Sequence, residues 1–504
     1  MKLRFGHLGA ILMASGLALV ALPRPAEATS TRVWTLGGMN RFILDDANRF
    51  LYPHMITKYG NLFYLELFGL SDSIGANAPT SLRMRDSGSG ARMLSDADFV
   101  GVQSTAGGGA ILALTDDLYL SFHLSDFENS TVIAFMQNIV AQGNIVSGDP
   151  NSFGGWLTSG RTPPAITAAN RKFDTFVGYN IADVVRLGLN ISYGSSKYHY
   201  TPNANDPDIL NGDDTLSRAP DDLGSSEFRF LLSGGIEPME ALAIDAAFGM
   251  GFHGLTYLPN QRPDMYIGGG GVELQADVRA MIGVSEWWEL VPAISIRSLS
   301  LSASDEADFN TGLRFNKTDD TADRQTANIT DIKQSAFLFD LGVAGHFKPN
   351  DIVQFWGAVG MQMQRRAFQY EHLNEDNNDF HRSTPGNGLE YLRDSQSIDA
   401  FWYMRLALEA RIFSWLDFRG GVVKYLRGDT SRHEQENRQA SAENQDNDFN
   451  DDQPFFDYFV GIAAHYEGFF LDFQLDPNWF KRGPNFLSGA QGNMFINGSI
   501  GYRY

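Results

Sequence analysis

From about residue 61 onward, apolar and polar residues alternate along the chain rather than recurring at helical spacing. Val272, Leu274, Ala276, Val278, Ala280, Ile282 and Val284 hold every second position, with Glu273, Gln275, Asp277, Arg279, Met281 and Gly283 between them. Successive strand side chains point to opposite faces, so this segment predicts one oily face and one face carrying charges of both signs. Trp402, Met404, Leu406, Leu408, Ala410 and Ile412 alternate in the same way with Tyr403, Arg405, Ala407, Glu409 and Arg411. So do Val353, Phe355, Val359, Met361 and Met363 with Gln354, Gln362, Gln364 and Arg366, and so does the final stretch from Met494 to Tyr504.

These runs reach about twice the usual 5–6 residues of a soluble strand. Roughly 9–11 tilted residues cross a bilayer, and a closed barrel is how strands pair every amide there. Short turns fall near Asp116-Asp117, Ala182-Asp183, Pro238-Met239-Glu240, Glu286-Trp287-Trp288, Pro349-Asn350-Asp351, Ser414-Trp415 and Glu467-Gly468. Longer polar connections alternate with them, around 72–97, 126–170, 201–224, 305–330, 374–395, 429–454 and 481–492. Short periplasmic turns with long outer loops are the pattern of bacterial outer-membrane barrels. The predicted fold is all-β, a transmembrane antiparallel up-and-down β-barrel over residues 61–504. About 16 strands are expected, with 14 as the alternative because residues 61–125 parse poorly. After Arg297 the apolar phase switches to Leu299 and Leu301, which predicts a bulge or a shifted boundary. Trp287, Trp288, Phe413, Trp415, Tyr466, Phe469 and Trp479 sit near strand ends, as interfacial girdles do.

Composition narrows the field further. None of the 504 residues is a cysteine, which excludes disulfide frameworks, thiol catalysis and cysteine-held metal. A net charge of −21 argues against a nucleic-acid partner, because phosphate binding needs a basic surface. Lys2, Arg4 and His7 precede an apolar stretch from Leu8 to Leu22 and an Ala26-Glu27-Ala28 step. This order predicts an export signal over residues 1–28.

Residues 29–60 read differently. They carry Arg32-Val33-Trp34-Thr35-Leu36-Gly37-Gly38, then Leu44-Asp45-Asp46-Ala47-Asn48, then Tyr52-Pro53-His54. The segment resembles the mature start of the outer-membrane family that includes FadL-type channels and PorV-like barrels, with Tyr52-Pro53-His54 in place of an Asn-Pro-Ala step. The resemblance implies an N-terminal plug inside a 14-stranded barrel, with Arg32, Gly37, Gly38, Asp45 and Asp46 as plug residues. Gly37-Gly38 permits a tight bend, and Asp45-Asp46 would accept hydrogen bonds from amides or from wall arginines such as Arg405 or Arg411. A periplasmic leader capping the first strand is the plainer alternative. The terminal Ile500-Gly501-Tyr502-Arg503-Tyr504 resembles the carboxy-terminal signal that the barrel-assembly machinery reads.

Chemistry is sparse. Clusters such as Asp305, Glu306, Asp308, Asp319, Asp320 and Asp323 make the long loops acidic, a candidate setting for divalent cations but more simply solvated charge. Val132, Ile133, Met136, Ile139 and Val140 predict a short amphipathic helix within 131–142. The ten histidines form no serine-esterase elbow and no zinc pair, so no catalytic, metal or cofactor site is expected; His346 and His465 read as wall-network members. The lumen face is richer. Arg229, Asp245, Glu273, Asp277, Arg279, Asp340, Arg366, Arg405, Glu409, Arg411, Arg419 and Asp457 all alternate with lipid-facing positions. Such a face must be wet, internally paired, or both.

The expected function is passive uptake of small molecules, hydrophobic solutes among the candidates, across the outer membrane of a Gram-negative bacterium. The rival is a non-transport barrel acting as a secretion or assembly partner or a surface-structure protein. Expected partners are outer-membrane lipid and lipopolysaccharide, the assembly machinery and a small solute.

Overall fold

The computed structural model describes residues 30–67, 106–125, 166–181, 184–200, 221–258, 267–305, 313–315, 325–373, 391–437, 455–475 and 495–504. The predicted export signal, the 131–142 helix and most of the long acidic loops lie outside these residues.

Among the described residues the strands, in chain order, are β1 (Leu62–Leu67), β2 (Ala106–Ala113), β3 (Leu118–Ser125), β4 (Ile166–Ile181), β5 (Val185–Tyr200), β6 (Asp221–Met239), β7 (Leu242–Leu258) and β8 (Ile267–Ser285). There follow β9 (Trp288–Asp305), β10 (Leu313–Phe315), β11 (Gln325–Phe347), β12 (Val353–Leu373), β13 (Tyr391–Phe413), β14 (Leu416–Asn437), β15 (Phe455–Tyr466), β16 (Phe469–Leu475) and β17 (Phe495–Arg503). Each strand from β1 to β8 pairs antiparallel with the next. β9 pairs with β11, pairing runs on to β17, and β17 closes on β1 from Leu62↔Arg503 to Leu67↔Gly498. Sixteen strands thus form a closed barrel. The short β10 pairs with β11 at Leu313↔Ala327, Arg314↔Thr326 and Phe315↔Gln325, outside the ring. Closure leaves no sheet edge, which is what a backbone surrounded by lipid requires.

The period-2 pattern sets the two faces. Val278, Leu406 and Val359 are exposed on the outer face, whereas Asp277, Arg405 and Gln362 are buried on the inner one. Two sequence expectations need correction. β9 has no bulge after Arg297, because its register with β8 and β11 is continuous there. Leu299, Leu301 and Ala303 instead face inward, and Ser298, Ser300 and Ser302 face out. The phase is constant, and only the polarity of each face changes towards the long-loop end, beyond the apolar band. Several strands also run farther than expected: β6 begins at Asp221, β11 at Gln325 and β13 at Tyr391, while β14 continues to Asn437. Each takes up residues that the sequence assigned to polar connections, because a paired strand tolerates polar side chains once it leaves lipid.

Residues 30–60 lie inside this cylinder. They form the helix α1 (Ser30–Thr35) and two 3-10 turns, Asp46–Phe50 and Pro53–Lys58, and then enter β1 through Asn61. Asn61 takes a φ of 63°, a left-handed conformation that asparagine adopts more readily than most residues. Its side-chain oxygen accepts from the Ala113 amide, and its carbonyl accepts from the Tyr504 amide, which ties the plug's exit to the barrel seam.

Candidate functional site

The plug is built first from its own local bonds. α1 stops where Gly37 and Gly38 adopt φ values of 74° and 70°, and their amides return to the carbonyls of Trp34 and Val33. A left-handed close of this kind satisfies orphan helix carbonyls, and glycine adopts it without steric cost. Asp45 caps the first 3-10 turn in a reciprocal box with Asn48. Asn48 also donates to the Asn40 carbonyl at 2.6 Å, and Pro53 opens the second turn. Two apolar clusters then dock this rigid segment. Leu36, Met39, Phe42 and Ile43 pack against Met281, Val291, Trp356 and Tyr403 of the wall. On another part of the wall Phe50, Leu51, Met55 and Ile56 pack against Phe176, Leu231 and Phe470.

The wall makes room by carrying glycine where the plug presses closest. A Cβ at Gly188 would sit 2.0 Å from the His54 nitrogen, and one at Gly421 would sit 2.5 Å from the Gly37 nitrogen. Gly178, Gly235 and Gly461 face Ile56, His54 and Thr35 in the same manner.

Charged bonds complete the docking. Arg32 donates twice to Glu409, at 3.1 and 2.7 Å, and once to Asp45 at 2.9 Å. Glu409 also accepts from Arg419, which reaches Asp472 at 2.7 Å, so alternating charges run from plug to wall. Arg41 lies 3.1 Å from Asp340 and 4.0 Å from Asp277. Arg279 donates to Asp245 and to the Asn48 side chain, and Arg405 donates to the Gly38 carbonyl at 2.7 Å. Lys58 and Arg186 share Glu237 nearer the short-turn end.

The expected tethers are therefore replaced. Asp45 pairs with Arg32, and Asp46 with Arg49 at 3.2 Å, both within the plug. The aspartates are committed to capping and to local arginines, so the links to the wall run mainly from plug arginines to wall carboxylates. Arg405 holds a backbone oxygen, while Arg411 sits half-exposed at the short-turn end with its Nε 3.5 Å from Asp417.

His54 has a distinctive setting. Its backbone N–H donates to Ser233 Oγ, and its Nδ1 lies 2.9 Å from the same oxygen. Nε2 lies 2.8 Å from Asp245, which Arg279 also holds. Burial pulls the imidazole below its ordinary pKa against the opposing pull of Asp245, which fits a neutral ring donating from Nε2 and accepting the Ser233 hydroxyl at Nδ1. The trio has the atom types of a hydrolytic relay, but Gly188 and Gly235 press against the histidine, and it serves as a latch.

Of the remaining expected wall residues, Arg229 and Glu273 lie towards the long-loop end, buried or partly buried. The side chains of Arg366 and Asp457 fall outside the described residues. His346 bridges Glu289 and Gln354 while stacking on Trp356, and His465 bonds Asp417.

No protein-family model and no curated protein matches the chain. Solved structures do resemble it. A FadL homologue from Pseudomonas aeruginosa is 9% identical over 95% of this chain and 96% of that one, with a TM-score of 0.35. The toluene transporter TbuX of Ralstonia pickettii is 10% identical over 95% and 99%, with a TM-score of 0.36. The ferric-catecholate import receptor Fiu of E. coli K12 is 6% identical over 79% and 78%, with a TM-score of 0.32. Likeness at this level adds nothing to the strand pairing already described.

Sequence reasoning missed Arg41, His54, Ser233 and the wall glycines. The glycines had a readable signal: Gly178, Gly188, Gly235, Gly421 and Gly461 all fall on the lumen phase close to short turns. Side chains removed repeatedly from one phase announce something packed against it.

Proposed function

We propose that the protein is an outer-membrane channel for small-molecule uptake, closed in this state by residues 30–60. The observation that carries the reading is the lumen wall between the plug and the long loops, where Asp174, Glu227, Arg229, Glu273 and Arg297 face inward. A barrel serving only as a scaffold has no need to maintain such charges there, whereas a path for a solute does. Their density favours a polar solute over a hydrophobic one. Lipid and lipopolysaccharide would cover the apolar outer band, and the assembly machinery would insert the barrel.

A second reading, a secretion or assembly partner, draws on a different observation: plug residues 31–59 are almost wholly buried, so the lumen is filled at their level. Single-channel current in planar bilayers separates the two. The double variant Arg32→Ala, Arg41→Ala loosens the plug while Glu409 keeps Arg419 and Asp340 keeps the Tyr403 hydroxyl. The channel reading expects little current from the wild type and discrete steps from the variant. A variant that assembles normally, has lost its plug contacts and stays silent would favour the partner reading.

A further inference from the structure

None of the tethers described above uses the charged side chains at the long-loop end of the lumen face of β4 to β8, beyond Asp245, Asp277 and Arg279. In the register of the sheet, Asp174 stands opposite Ser192, Ser192 opposite Arg229, Arg229 opposite Gly251, and Gly251 opposite Glu273. One step nearer the long loops the order is Lys172, Gly194, Glu227, His253 and Gly271. In the first row charged side chains alternate with the smallest ones, and in the second Glu227 faces His253 directly. Lower on these strands, where the plug docks, the same phase is filled by Phe176, Leu231 and Ala247. On β4 and β6 the step from apolar to charged, Phe176 to Asp174 and Leu231 to Arg229, takes two residues.

Pairing inside the group is incomplete. Lys172 lies 3.9 Å from one oxygen of Asp174, His253 lies 3.3 Å from Glu273, and Arg297 lies 3.9 Å from Glu273. Among the described residues, Asp174 Oδ2, Arg229 Nη2 and His253 Nδ1 are buried without a hydrogen-bond partner. Such groups are costly to leave unpaired, and these three offer a carboxylate oxygen, a guanidinium donor and an imidazole nitrogen. Asp174 and Arg229 are two strand spacings apart, about 10 Å between their backbones, with only Ser192 between them.

We infer that this wall is a binding site for a zwitterion, a free α-amino acid or short peptide, and so names the solute class of the uptake channel on whose assignment it rests. The solute's carboxylate takes the Arg229 guanidinium and its ammonium takes Asp174, each through a charge-assisted hydrogen bond. A plain carboxylate leaves Asp174 Oδ2 without a partner and a plain amine leaves Arg229 Nη2 without one, so the site discriminates against both.

The test is isothermal titration of the full-length barrel in a non-ionic maltoside detergent. The probes are leucine and glycyl-leucine, with 4-methylpentanoate and 3-methylbutylamine as the single-charge analogues. One or both zwitterions should bind, and each analogue should bind at least tenfold more weakly. Arg229→Gln should abolish the preference over the amine, and Asp174→Asn the preference over the carboxylate. Absence of binding by both zwitterions, or analogues that bind as well as they do, overturns the site. If a variant fails to assemble, the analogue comparison on the wild type still decides. The outcome is separable from that of the channel: binding without current in the plug-loosened variant keeps the site and removes the channel, and current without binding removes the site alone.

Discussion

Replacing Glu409 by alanine should release the plug without opening the barrel wall. Glu409 accepts from Arg32 and from Arg419, whose side chains are only 2% and 1% exposed. Its loss removes a carboxylate from each, while Arg32 keeps Asp45 and Arg419 keeps Asp472. Removing one partner from a buried ion pair costs about 3–5 kcal/mol, because a charge stays behind uncompensated. That cost falls on the docked state, since Arg32 regains water once the plug leaves. At about 1.4 kcal/mol per factor of ten, the undocked population rises by roughly two to three and a half powers of ten. The strands stay paired, because β12–β13 and β13–β14 hydrogen bonds come from the backbone. With no native cysteine, Ala47→Cys gives a single thiol in the plug, at a position only 5% exposed. Its labelling by a membrane-impermeant maleimide should accelerate at least a hundredfold on the Glu409→Ala background. An unchanged rate, with normal heat-shifted gel mobility, would refute the claim that this carboxylate anchors the plug.

The same thiol reports on two further expectations, and a urea midpoint on a third. His54 has its pKa lowered by burial, so the undocked state binds more protons as pH falls through about 6.5; docking is fully supported above that value and weakens below it. Labelling at Ala47→Cys should therefore rise from pH 7.5 to pH 5, and His54→Gln should flatten the profile. Gly188→Ala places a methyl 2.0 Å from the His54 nitrogen and should raise labelling sharply, whereas Gly420→Ala, whose nearest neighbour is at 3.8 Å, should not. Leu406→Arg puts a charge on the outer face and should cost about 2–4 kcal/mol if it lies at mid-bilayer, lowering the urea midpoint in lipid; a midpoint equal to that of Leu406→Met would contradict the facing.

The barrel was legible because its signal is local. Alternation at Val278 and Asp277, or at Leu406 and Arg405, needs only neighbouring residues and a period of two. The same locality explains the misreading of β9, where Leu299 and Leu301 keep their phase but stand inside the lumen beyond the lipid band. Asp45 and Asp46 looked like tethers because an aspartate pair invites distant arginines; the nearer Asn48 amide group and the arginines at 32 and 49 claim them first. The wall carboxylates were assigned to the lumen face, but nothing in a one-dimensional pattern ties Glu409 to Arg32 rather than to another arginine. The resemblance of residues 29–60 to a plug segment pointed to an occupant without its contacts, and the lumen-phase glycines mark where it presses.

The contacts that seat the plug have a consequence for biogenesis. Arg32 and Glu409 are 377 residues apart in the chain, and the Thr31 and Ser499 hydroxyls that also meet are 468 apart. The segment is made near the start of the chain, yet its socket is incomplete until β17 has been delivered. Throughout that interval Leu36, Phe42, Ile43, Leu51, Met55 and Ile56 have no permanent cover, and exposed apolar segments of this kind are prone to aggregation. The plug therefore needs cover for the same interval as the unpaired strands. Docking is then a late event, completed as β1 meets β17, and the slow step of maturation is expected at the seam rather than in any single hairpin.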